Sequence, residues 1–194
     1  HLFVHILVIL YSARWMQIQG RMKTTLMSGR RSTSSVVEPS AAMIDVCRQR
    51  AEQDGFAARC NFHEGYLESL PAAAAHDAVT CFLVSQFILE PPARSALFAE
   101  IAERLTPGGL LASSDLAADV DSAEYEVLLT AWMHMMAAAE VSPETMARMR
   151  QAYARDIGVL SPERTAAIIA AGGFTLPVPF FQAGLIHAWL SRRA

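Results

Sequence analysis

The segment Val36-Val37-Glu38-Pro39-Ser40 runs from an apolar pair straight into a helical pattern of about fifteen residues. It constrains the fold more than any other stretch of the chain. An acidic residue at the C-terminal tip of a buried strand, with a helix directly after it, is where a doubly wound α/β sheet holds the ribose hydroxyls of a nucleoside cofactor. In such sheets a glycine-rich turn lies about twenty residues ahead of the acid, so that backbone approaches the ligand with no Cβ in the way. Here the corresponding window, Tyr11 to Arg21, holds one glycine, Gly20, and no carboxylate.

That departure coincides with a change of composition. Residues 1–37 carry five basic residues (Arg14, Arg21, Lys23, Arg30, Arg31), no carboxylate and one alanine, whereas residues 38–194 carry eleven arginines, nineteen carboxylates and thirty-two alanines, a net charge of 11 − 19 = −8. Three readings of residues 1–37 stand. The segment is a targeting peptide, although its apolar run Leu2–Leu10 precedes the charges and no small-residue cleavage site follows. Alternatively it is a first strand (Phe3–Leu10) and helix (Ser12–Met27) with a degenerate loop between them, or it is not native coding sequence. The apolar run is too short to span a bilayer, which takes about twenty residues.

A chain of 194 residues with 53% apolar content forms one domain with a full core. The acidic balance after residue 37 argues against an extended nucleic-acid-binding face, despite the local cluster Arg148, Arg150 and Arg155. Cys47, Cys60 and Cys81 lack Cys-x-x-Cys spacing, so neither a disulfide framework nor a metal site is expected, and a reducing cytoplasm is the plain expectation.

From residue 38 onward, punctuation gives the order of elements. Ser40 as N-cap and Gly55 as C′ residue bracket a helix with an apolar stripe of Met43, Ile44, Cys47 and Ala51. Arg59–Phe62 predicts a short strand, and Asp77–Val84 a strand covered on both faces. Pro91-Pro92 opens a helix striped by Leu97, Phe98, Ile101 and Leu105; Thr106-Pro107-Gly108-Gly109 turns the chain, and Leu110–Ser113 enters another strand. A helical insertion covers 121–158, including an arginine-rich helix over Pro143–Asp156. Ser161-Pro162 starts the next helix and Gly172-Gly173 stops it, after which Thr175–Phe181 and Gly184–Leu190 read as paired strands. The alternation calls for a parallel sheet with right-handed crossovers.

Four pieces in this order, Val36 to Met43, His63-Glu64-Gly65-Tyr66-Leu67-Glu68-Ser69-Leu70-Pro71, the strand opened by Asp77, and Leu105-Thr106-Pro107-Gly108-Gly109-Leu110, give residues 36–194 a resemblance to the class I S-adenosylmethionine-dependent methyltransferases. Gln86-Phe87, the long insertion, Met149-Arg150, Ala171-Gly172-Gly173-Phe174 and Phe180-Phe181-Gln182 make the second half resemble the carboxy-S-adenosylmethionine synthases and their methyltransferase relatives. The resemblance implies an α/β fold with a doubly wound, mostly parallel sheet and a C-terminal antiparallel hairpin, with S-adenosyl-L-methionine as cofactor. It implies that Glu38 binds the ribose, that Pro39 and Met43 lie beside the cofactor, and that Tyr66 and Leu67 contact the adenine where the family usually has an aspartate first. Phe82 would stand against the cofactor where the synthases have an asparagine, Ser85 and Gln86 would face the acceptor, and Arg150 would pair with a carboxylate.

Each residue also has a plainer reading. Glu38 suits a solvated charge at a helix N-terminus, and Arg150 an ion pair with Glu144 or Asp156. His63, His76 and His187 suit structural roles, and His134 the packing face of its helix. The Met-rich stripe around it suits a pocket wall or a homodimer surface equally. No catalytic residue is assigned, because methyl transfer from a sulfonium rests on positioning and desolvation. The leading expectation is methyl transfer to a small-molecule or tRNA-linked acceptor, with no membrane partner. Carboxy-S-adenosylmethionine synthesis and a non-catalytic scaffold are the alternatives.

Overall fold

The computed structural model describes residues 34–71, 75–136 and 142–194, without the side chains of Met136, Pro143, Met146 and Met149. The expected first strand, first helix and degenerate loop lie outside the described residues. Those described form two compact units, 34–71 and 75–194.

In the first unit, β1 (Ser34–Glu38) pairs in parallel with β2 (Cys60–Glu64), joined by α1 (Ala41–Gln53). The crossover forms because α1 carries apolar residues at helical spacing: Ile44, Cys47 and Ala51 are buried, and Met43 and Phe62 pack on the cluster of Val36, Ile44 and Cys47. Gly55 ends the helix in the left-handed region, at φ +74°, as its C′ role requires. Ser40 occupies the N-cap position, but its hydroxyl caps nothing. Its backbone N–H is instead donated to Glu38, which precedes the helix.

The second unit is a four-stranded sheet in the order β3-β4-β6-β5, built from β3 (His76–Phe82), β4 (Leu105–Leu116), β5 (Val178–Ala183) and β6 (Ile186–Arg192). β3 and β4 are parallel, while β6 inserts antiparallel between β4 and β5. The C-terminal hairpin is therefore present, turning at Gly184 with φ +57°. The expected turn over Thr106–Gly109 lies inside β4 as a bulge: His76 pairs with Leu105 and Ala78 already with Leu110, and Gly108 takes φ +74°. Leu105 consequently belongs to the strand rather than to the preceding helix.

Helix α2 (Pro91–Glu103) packs on α5 (Pro162–Ala171), with Leu97, Phe98, Ile101, Ile168 and Ile169 buried. Ser161 caps α5 by accepting the Arg164 N–H at 3.3 Å. The insertion is a helix pair, α3 (Ala123–Met136) and α4 (Pro143–Asp156), joined by a 2.7 Å bond from Trp132 Nε1 to the Tyr153 hydroxyl. Leu129, Trp132 and Met133 form the buried face of α3, whereas His134 is exposed and takes no part in that packing. No helix among the described residues is long and apolar enough to cross a membrane.

Gly172, at the C-cap of α5, lies close against α2. A Cβ there would lie 2.3 Å from Phe98 Cβ and 3.1 Å from the Ala99 nitrogen. Gly172→Ala is therefore expected to lower unfolding free energy by about 1–3 kcal/mol, the usual cost of overpacking a filled interface. Urea denaturation of the two proteins checks this, with no change in midpoint as the contrary result.

Candidate functional site

In the first unit the parallel register places Glu38 opposite Glu64, so β1 and β2 end side by side. The Glu38 side chain is buried, with Oε1 accepting the Ser40 N–H at 2.9 Å, and this excludes the solvated-charge reading. Its backbone carbonyl accepts the Gly65 N–H at 3.1 Å, tying the acid to the loop that leaves β2. That loop carries Tyr66, 42% exposed, and Leu67, buried. Pro39 and Met43 are half-buried beside the acid, Met43 with one face against the apolar cluster.

The donor set fits the adenosine half of the cofactor. A carboxylate at a strand tip accepts from a vicinal diol, and an exposed aromatic next to a buried leucine offers a flat apolar face to a base.

In the second unit β3 ends at Phe82, half-buried, and the chain then enters a strained residue. Leu83 takes φ +56°, a region costly for a side chain with a Cβ, and donates its N–H to the Ser114 carbonyl at 2.6 Å. Ser85 and Gln86 follow in a short 3₁₀ turn, Ser85–Phe87, and both side chains point inward. Ser85 Oγ donates to Asp115 Oδ2 at 2.5 Å, and the Gln86 N–H to Asp115 Oδ1 at 2.9 Å. Gln86 Oε1 accepts the Leu116 N–H at 2.6 Å, and its carbonyl accepts the Gly158 N–H at 2.7 Å. Arg94, with no exposed surface, donates from Nη2 to the Gly158 carbonyl at 2.8 Å and from Nε to the Ile88 carbonyl at 3.1 Å. The turn at Ser85–Phe87, the tip of β4 and the exit of the insertion thus share one buried polar network.

Burial pushes the Asp115 carboxyl up to about 6, against the Ser85 hydroxyl, the Arg94 charge and the backbone N–H groups, which favour its ionised form. Burial, and secondarily Asp115, also raises the Cys81 thiol. Arg150 on α4 joins neither Glu144 nor Asp156. Its Nη1 meets Glu126 Oε2 and its Nη2 meets Thr130 Oγ1, each at 2.6 Å, so it ties α4 to α3. His63 and His187 have structural bonds, His63 Nε2 to Ser69 Oγ at 2.8 Å and His187 Nδ1 to the Leu185 carbonyl at 3.2 Å.

Glu38, Pro39, Met43, Tyr66 and Leu67 thus share the first unit, and Phe82, Ser85, Gln86 and Arg150 the second. Asp115, Arg94 and Gly158 were not anticipated. Asp115 carried a readable signal, because it lies near the end of a strand much as Glu38 ends β1.

The sequence profile described as a methyltransferase domain matches residues 19–109. The carboxy-S-adenosyl-L-methionine synthase of Dichelobacter nodosus is 31% identical over 161 residues, covering 81% of this chain and 63% of that protein. An O-methyltransferase family 2 protein from Planctomyces limnophilus, solved with apigenin, matches with a TM-score of 0.61 at 17% identity over 89% of this chain and 46% of its own. PigF with S-adenosylhomocysteine matches with a TM-score of 0.59 at 13% identity over 92% of this chain and 48% of its own. At these identities the structural likeness is one of fold. The chain is thus similar to S-adenosylmethionine-dependent methyltransferases in fold and over the matched residues, and it spans 63% of the length of the synthase it matches.

The Asp115 network makes stability pH-dependent with a definite sign. Its carboxyl is raised from an ordinary 3.8 to about 6 in the folded protein, so the folded state holds its proton more tightly than the unfolded state. The stabilisation is complete below pH 4 and is lost as pH rises through 6, a change of about 3 kcal/mol from this group. Urea denaturation of Asp115→Asn between pH 4 and 7 is expected to lack this decline. An unchanged slope contradicts it.

Proposed function

We propose that this chain transfers a methyl group from S-adenosylmethionine to a small-molecule or tRNA-linked acceptor. The observation that carries the reading is Glu38, a buried carboxylate at the tip of a parallel strand, oriented by the Ser40 N–H and tied through its carbonyl to the Tyr66 loop. The cofactor supplies an electrophilic methyl on a sulfonium. This chain's part is to hold the ribose through Glu38 and to seat the base against Tyr66 and Leu67. No side chain is assigned as a base. Asp115 is engaged by Ser85 and Gln86 in the interior and serves to shape the turn. In this reading Ser85 and Gln86 act on the acceptor by setting the course of the Ser85–Phe87 backbone.

Carboxy-S-adenosylmethionine synthesis is the second reading, favoured by the 31% identity to the Dichelobacter nodosus synthase. In that case Arg150 would exchange Glu126 for the carboxylate of the donor. Phe82 in place of the synthases' asparagine weighs against it.

Isothermal titration with S-adenosylhomocysteine tests the leading reading. Micromolar binding is expected, weakened roughly ten- to hundredfold in Glu38→Gln, as the loss of a charge-assisted hydrogen-bond acceptor implies. No heat at millimolar ligand from folded protein contradicts methyl transfer and favours a scaffold role. Arg150→Ala leaves this binding intact in both readings and abolishes use of a carboxylate donor only in the second.

A further inference from the structure

The loop that presents Tyr66 is held by two side chains whose proton order the geometry determines. Ser69 Oγ donates to the Tyr66 carbonyl at 2.7 Å, and the Ser69 N–H donates to the same carbonyl at 3.1 Å. A serine hydroxyl has one proton, so toward His63 Nε2, 2.8 Å away, Ser69 Oγ acts as an acceptor. His63 therefore carries its proton on Nε2. The chain runs from imidazole N–H to hydroxyl to carbonyl and closes the first turn after β2. Gly65 lies beneath it, because a Cβ there would stand 2.6 Å from Ser69 Oγ and 2.9 Å from His63 Nε2. Tyr66 itself caps the short 3₁₀ turn Leu67–Ser69 in an extended conformation, φ −85° and ψ 165°.

We propose that His63 and Ser69 are positioning residues which, through this proton-ordered brace over Gly65, hold the Tyr66 backbone so that its ring meets the cofactor's base. The inference rests on the adenosine reading of Glu38 and Tyr66 above. It adds that base recognition here depends on a prearranged loop instead of an acidic side chain. His63, Gly65 and Ser69 form one unit in this respect, and none of them touches the ligand.

The test is S-adenosylhomocysteine affinity of the whole chain in a set of variants, with imidazole nitrogen NMR of the unliganded protein. Nε2 of His63 is expected to carry a proton; an Nε2 without one overturns the brace. Ser69→Ala is expected to weaken binding about fivefold, the worth of one or two net hydrogen bonds. Ser69→Thr restores affinity, Gly65→Ala behaves like Ser69→Ala, and His63→Phe combined with Ser69→Ala is no worse than Ser69→Ala alone. Circular dichroism verifies folding of each variant, and the partly exposed positions of His63 and Ser69 favour it. Tyr66→Ala separates the two claims. If it weakens binding while Ser69→Ala does not, the brace is wrong and the cofactor reading stands. If the unsubstituted chain does not bind, or binding ignores Tyr66, both fall.

Discussion

A carboxylate buried at the C-terminal tip of a parallel strand must be given N–H donors, or its desolvation would expel it. Both parallel strand pairs among the described residues obey that constraint, and the local structure follows from it. Glu38 ends β1 and takes the N–H of Ser40, which fixes how the chain enters α1. Asp115 lies near the end of β4 and takes the N–H of Gln86 and the hydroxyl of Ser85, which fixes the turn after β3. The same turn receives Gly158 from the insertion, and Arg94 closes the contact from α2. In each unit, then, the edge at which an α/β sheet binds its ligands is shaped by an acid satisfied from the backbone.

The two acids have different surroundings, and that difference separates their roles. Asp115 is enclosed by a hydroxyl, a backbone N–H and a nearby guanidinium, and its proton affinity rises because it has no solvent. It is a structural group at a functional edge. Glu38 lies next to a loop whose aromatic residue is exposed, and Tyr66 and Leu67 give that edge a flat apolar surface. This pairing of a diol acceptor with a base platform favours the adenosine reading for Glu38 over a purely structural one.

Much of this was legible in the sequence because it depends on local chemistry. The helix start at Ser161-Pro162, the stop at Gly55 and the hairpin at Gly184 follow from capping and turn preferences. The apolar stripe of α1 follows from helical spacing. What sequence could not yield depended on distant residues. Ser40 occupies the N-cap position without a side-chain cap, while its backbone N–H goes to Glu38, two residues earlier, and the direction of that strand-tip acid is not readable from local spacing. The Thr106–Gly109 turn became a bulge because β4 stays paired with β3 across it. Ser85 and Gln86 look like acceptor contacts by position, yet the Ser85 hydroxyl turns inward to Asp115 and the Gln86 side-chain oxygen to the Leu116 N–H, both about thirty residues away. Arg150 had two acidic residues on its own helix, and its partner came from Glu126 on the other helix of the insertion.

The most direct measurement is a crystal structure of this chain grown with S-adenosylhomocysteine. The account predicts both ribose hydroxyls on the Glu38 carboxylate and the adenine against Tyr66 and Leu67, with Ser69 still bonded to the Tyr66 carbonyl. Ligand bound elsewhere, or a Glu38 carboxylate with no contact to the ribose, would contradict it.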